Sequence, residues 1–111
     1  MATTPEGKVK TKVKKILDKF GALHFSPFMA GMGASGVSDI ICLYKGKFIA
    51  IECKADEKKL PTALQLKFLD RVMAWGGLGL VVHDKNLNLL EQTLEILGEE
   101  DGTETRDARR S

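Results

Sequence analysis

Asp39, Glu52 and Lys54 are the residues most able to do chemistry together, provided the chain between them doubles back. They lie on two apolar runs, Asp39-Ile-Ile-Cys-Leu-Tyr44 and Lys47-Phe-Ile-Ala-Ile-Glu-Cys-Lys54, joined by Lys45-Gly46. A two-residue connection containing glycine between such runs predicts a tight β-hairpin in which Tyr44 faces Lys47. Counting back from the turn, Leu43 faces Phe48, Cys42 faces Ile49, Ile41 faces Ala50, Ile40 faces Ile51 and Asp39 faces Glu52. Directly opposed side chains hold their Cβ atoms roughly 5 Å apart, where like charges repel unless something positive lies between them. Lys54 falls on the same face as Glu52, two residues further along. Two hard oxygen ligands and an ammonium at one strand end suit Mg²⁺ or Mn²⁺ and phosphodiester hydrolysis, the lysine orienting a water or stabilising charge on the phosphate. The plainer alternative is the solvated end of an edge strand, where an E-x-K sequence is usually found.

The remaining elements must position that strand end. Thr4-Pro5-Glu6 is a helix start, with a capping threonine, proline in the first helical position and an acid in the first turn. Val9, Val13, Ile16, Leu17 and Phe20 then recur at helical spacing, predicting a helix over 5–20 that Gly21 ends. Glu6 lies three residues before Val9, on the apolar side, so it either stabilises the helix dipole or reaches the metal site. Residues 22–28 suggest a strand interrupted by Pro27, hence at an edge. The glycine-rich loop Met29-Ala-Gly-Met-Gly-Ala-Ser-Gly36, ending in Ser35 and Gly36, can direct backbone N–H groups at a phosphate, although its spacing is not that of a P-loop.

After the hairpin, a charged turn leads to Thr62 and a helix over 62–75 whose buried side is expected from Leu64, Phe68, Leu69, Val72, Met73 and Trp75. Gln65 in its first turn can point at the strand ends or satisfy nearby backbone groups. Gly76-Gly77 precedes Leu78–His83, an apolar run expected to form a buried central strand parallel to a member of the hairpin. Leu87, Leu90, Leu94 and Leu97 mark a last helix over 86–97. His24 and His83, far from the acids in sequence, are expected to be hydrogen-bonded or exposed, not metal ligands.

With 111 residues and 43% hydrophobic content, the chain suits one domain over 1–97, followed by a mobile charged tail over 98–111. A net charge of +2 does not by itself argue for a polyanionic partner, but its distribution is uneven. The first helix carries Lys8, Lys10, Lys12, Lys14, Lys15 and Lys19, of which Lys8, Lys10, Lys12 and Lys14 are candidates for phosphate contacts, with a solvated helix face as the alternative. Cys42 and Cys53 fall within strands as small buried hydrophobes, and a disulfide is not expected. No apolar run is long enough for a membrane span or a signal core, so a cytoplasmic protein is expected, without a membrane partner.

In order, Gly36-Val-Ser-Asp39-Ile-Ile, Phe48-Ile-Ala-Ile-Glu52-Cys-Lys54, Leu60-Pro-Thr-Ala-Leu-Gln65 and the apolar strand after Gly76-Gly77 resemble the VRR-NUC family of the PD-(D/E)XK nuclease superfamily. The likeness covers roughly residues 5–85. It implies an α/β, restriction-endonuclease-like core, a mixed sheet flanked by helices in the order α-β-β-β-α-β-α. It further implies Asp39, Glu52 and the backbone carbonyl of Cys53 as metal ligands, Lys54 as the catalytic lysine, Glu6 as an added acid and Gln65 as a catalytic-site partner of Lys54 or the substrate. Ser38 stands where the family usually has proline, which concerns loop rigidity more than chemistry. Stand-alone relatives are similar to structure-selective DNA nucleases of phages and bacteria and tend to be homodimers. The resemblance therefore implies a Mg²⁺- or Mn²⁺-dependent endonuclease acting on branched or duplex DNA, such as Holliday junctions, in a bacterial or phage-infected cell. The alternatives are a nuclease-like module that binds DNA junctions without cutting, and an unrelated small α/β interaction domain.

Overall fold

The computed structural model describes residues 4–27 and 36–100. Helix α1 spans Pro5–Phe20; the Thr4 hydroxyl accepts the Gly7 N–H, and Gly21 closes the helix in the left-handed region at φ 73°. The strands are β1 (Leu23–Phe25), β2 (Ile40–Tyr44), β3 (Lys47–Cys53) and β4 (Leu78–Val82); α2 (Ala63–Ala74) lies between β3 and β4, and α3 (Leu87–Glu99) ends the described chain. The order α-β-β-β-α-β-α matches the expectation, and among the described residues the architecture is an α/β domain with a four-stranded mixed sheet and three helices.

The hairpin register is the one the turn dictates. Lys45 and Gly46 both have positive φ, at 52° and 77°, as a turn that follows the twist of the strands requires. Tyr44 pairs with Lys47, and each pair follows back to Ile40 with Ile51. In the sheet order β1-β2-β3-β4, β1 runs antiparallel to β2 on one edge and β4 runs parallel to β3 on the other. The expected parallel pairing of β4 is present, but the strand lies at the edge, not in the centre. Its apolar sequence reflects helices over both of its faces, since Val82 packs toward α1 and α3 while Val81 packs toward α2.

Alternation along the strands separates two cores. Ile40, Cys42, Ile49, Ile51 and Cys53 pack with Val9, Val13 and Leu17 of α1 and Leu90 and Leu94 of α3. Ile41 and Ala50 face the other way, toward Leu69 of α2. That second face is only partly roofed. Leu69 alone is fully buried on α2, whereas Leu64, Met73 and Trp75, expected on its buried side, are exposed, with Trp75 at 87%. On the same sheet face Leu23, Phe25, Leu43 and Phe48 also remain exposed, α2 packing chiefly over β3 and β4.

The last helix continues through Gly98 and Glu99, so the start of the expected tail is helical. The rest of that tail, residues 101–111, lies outside the described residues, as does most of the glycine-rich loop, Ser35 included. Cys42 and Cys53 are buried free thiols as expected, and burial pushes their pKa values up to about 11 and about 12, the latter also raised by Asp39.

Candidate active site at the end of the hairpin

Glu52 is the penultimate residue of β3 and points to the α2 side of the sheet, 2% exposed among apolar neighbours. A buried carboxyl needs partners, and α2 supplies one. Gln65 Nε2 donates to Glu52 Oε1 at 3.0 Å. Gln65 Oε1 accepts from Lys54 Nζ at 3.0 Å and from the Thr62 backbone N–H at 2.8 Å. Gln65 is the N3 residue of a capping box with Thr62, so the contacts that start α2 also fix its amide between Glu52 and Lys54. Gln65 thus points at the strand ends and also satisfies a backbone N–H, so the two placements expected of it occur together.

Asp39 immediately precedes β2. Its Oδ2 accepts the Cys53 backbone N–H at 2.8 Å, taking the place of a ladder bond at the end of the hairpin. Because the N–H and C=O of one strand residue face the same neighbour, the Cys53 carbonyl opens to the Asp39 side as well. Asp39 Oδ1 lies 3.4 Å from Lys10 Nζ, and Lys10 Nζ lies 3.5 Å from Glu6 Oε2. Burial pulls the Lys10 pKa down, but the charges and hydrogen bonds of Asp39 and Glu6 outweigh it and leave it raised. Lys10 is therefore a neighbour of the acids; the sequence offers only the one-turn spacing from Glu6 as a sign of this.

The opposed carboxyls are close enough to perturb one another. Burial first, then the hydrogen bond and charge of Asp39, push Glu52 up to about 8, against the opposing pull of Lys54, whose Nζ lies 3.9 Å from Glu52 Oε1. As a carboxylate, Glu52 leaves Oε2 buried without a hydrogen-bond partner among the described residues; a proton gives the group a hydrogen bond to Asp39. A cation would answer the same need. Among the described residues no set of three or more His, Cys, Asp and Glu side chains is arranged to hold a metal ion. The donors that do converge are the Glu52 and Asp39 carboxylates and, from the backbone, the Cys53 carbonyl. All are hard oxygens of the kind Mg²⁺ and Mn²⁺ prefer, and the orphaned Oε2 marks where positive charge is missing, so these residues fit such an ion.

Other expected site residues lie elsewhere. Successive helix residues turn by about 100°, which puts Lys8, Lys12 and Lys15 on the flank of α1 opposite Glu6 and Lys10. With Thr11 they line a shallow depression of about 270 Å³. Lys19 on that flank reaches Glu91 of α3 at 3.5 Å, so this basic stripe faces away from the acids. Lys14 is exposed one turn beyond Lys10. Gly36 presses on α2, where an added Cβ would stand 2.5 Å from the Leu64 carbonyl oxygen; its small size serves loop–helix packing. Ser38 is buried, and among the described residues no partner explains its hydroxyl. Both histidines are hydrogen-bonded: His24 with Asp18 at 2.7 Å, and His83 Nδ1 with the Lys85 backbone N–H at 3.1 Å.

No helix among the described residues is long and apolar enough to cross a membrane. Compared with family models, curated proteins and solved structures, the chain gives no match in any of the three.

Proposed function

We propose that this chain is a DNA endonuclease that hydrolyses phosphodiester bonds with Mg²⁺ or Mn²⁺, on a restriction-endonuclease-like core of the VRR-NUC type. The observation that carries the reading is the buried Glu52, its Oε2 without a partner among the described residues, set beside Asp39 and joined through Gln65 to Lys54. A structural carboxyl has little reason to be buried against a second one, because each disfavours the other's charge. A bound divalent ion would neutralise that pair and polarise the phosphate. Asp39, Glu52 and the Cys53 carbonyl would hold it. Lys54 is largely buried and held by Gln65 Oε1, so its ammonium is fixed where it can orient a water or stabilise charge on the phosphate. Gln65 keeps the Glu52 carboxyl and the Lys54 ammonium at one spacing by gripping both.

A domain of this size offers one such site, so cutting both strands of a duplex or a branched junction calls for a homodimer. The test is a panel of fork, flap, four-way junction, single-stranded and linear duplex DNA incubated with Mn²⁺ or EDTA, beside Asp39→Ala. Cleavage that needs Mn²⁺ and disappears in Asp39→Ala is expected. DNA binding with no cleavage of any substrate would replace this reading with a non-cutting junction binder.

A further inference from the structure

We propose that the groove along α2 binds a single strand of DNA, with a base stacked on Trp75 and phosphates held by Lys67 and Arg71. The inference rests on the reading of the chain as a DNA-cutting protein and names the form of DNA it grips. One recess of about 470 Å³ is lined by Phe48, Phe68, Arg71 and Trp75. A second, of about 160 Å³, shares Phe68 and Arg71 and continues to Lys67, Leu64 and Gly36. Together they form one trough from the C-terminal end of α2 to its first turn, where Gln65 enters the acid site and Gly36 leads, three residues later, to Asp39.

The chemistry of the lining favours a nucleic acid strand. Among the described residues no Asp or Glu lines either recess. Lys10, Lys19, Lys54 and Lys85 are held by acids; among the described residues Lys67 and Arg71, like Lys8, Lys12, Lys14 and Lys15 on α1, have no ion pair or hydrogen bond from their side chains, and of these cations they are the ones beside exposed aromatic rings. Trp75 is largely exposed and lines the first recess beside Arg71, which also lines the second with Lys67. Exposed aromatics beside unpaired cations are the pattern of a single-strand platform, since every base has a face to stack and every link a phosphate to neutralise. A stacked duplex hides the faces of all but its terminal bases, so along its length it cannot use such a ring. From Leu64 to Trp75 the helix rises about 16 Å. That equals about five nucleotides at roughly 3.4 Å each, fewer in a stretched strand.

Trp75 is the sole tryptophan of the chain, so its fluorescence reports on the groove directly. The experiment titrates the full chain in EDTA with a twelve-residue oligothymidylate and with a blunt duplex of equal length. Quenching by the single strand, and little by the duplex, is expected. In binding followed by anisotropy of labelled oligonucleotide, Trp75→Ala should weaken affinity about tenfold or more while Trp75→Phe keeps most of it. Lys67→Ala and Arg71→Ala should each lower the salt dependence by about 0.7 in log–log slope. Equal quenching by duplex overturns the single-strand assignment, and no quenching overturns the proposal. A fluorescence change on simple dilution without DNA overturns it in favour of a second copy of the chain on this face. Because no divalent ion is present, quenching without later cleavage would leave the inference standing and remove the catalytic reading; cleavage without quenching would do the reverse.

Discussion

The two faces of the sheet differ in what they bury. Toward α1 and α3 the strands present Ile40, Cys42, Ile49, Ile51 and Cys53, and helix side chains such as Leu17, Leu90 and Leu94 fill the space completely. Toward α2 the same strands present Ile41 and Ala50, then Glu52, and beyond them exposed Leu43 and Phe48. One face is a closed apolar core that contributes stability. The other holds a carboxyl whose partners satisfy only part of it, which costs stability and leaves a site able to accept positive charge.

That contrast can be broken by substitution. Leu17→Ala on the closed face should lose about 2–5 kcal/mol in urea unfolding, with cleavage per folded molecule unchanged. Glu52→Gln should do the opposite: cleavage falls by about 10²–10³-fold, while the metal-free protein keeps its stability at pH 8 or gains some. If both variants lost stability equally, the two faces would not be specialised.

The pH dependence sharpens the point. Glu52 is raised from its ordinary 4.5 to about 8, so between those values the folded state binds a proton that the unfolded chain has released. Stability of the metal-free protein should therefore be highest from this group below pH 4.5 and fall as pH rises toward 8, by at most about 1.4 kcal/mol per unit. Glu52→Gln should flatten that slope in denaturant melts at stepped pH. Saturating Mn²⁺ should offset it, because an ion held by the ionised pair stabilises the state that the proton otherwise protects.

A smaller effect is expected at Lys10, which sits against Asp39 and Glu6 as a built-in counter-cation. Lys10→Met should tighten Mn²⁺ binding by several-fold in calorimetry, because an ion no longer competes with a fixed ammonium for the acids. Lys12→Met, on the opposite flank, should leave Mn²⁺ affinity unchanged and alter stability by no more than about 0.5 kcal/mol. Equal changes in both variants would mean that only the overall charge of α1 matters.

Much of the geometry was local and therefore legible in the sequence. Lys45-Gly46 chose a hairpin turn, and strict alternation then assigned every side chain of β2 and β3 to a face, which is how Asp39 and Glu52 were brought together on paper. Thr4, Pro5 and Gly21 bounded α1 because caps and left-handed glycines act within a single turn. Tertiary structure decided what depends on which surface each element meets. Helical spacing marked Leu64, Met73 and Trp75 as apolar, but only the placement of α2 over β3 and β4 left them in solvent. Likewise six lysines on α1 were equivalent as charges until packing turned Lys10 to the acids and Lys8, Lys12 and Lys15 away. Turn chemistry and strand period are properties of neighbouring residues; roofing and ion pairing are properties of distant elements meeting, and a linear pattern carries no record of which meet.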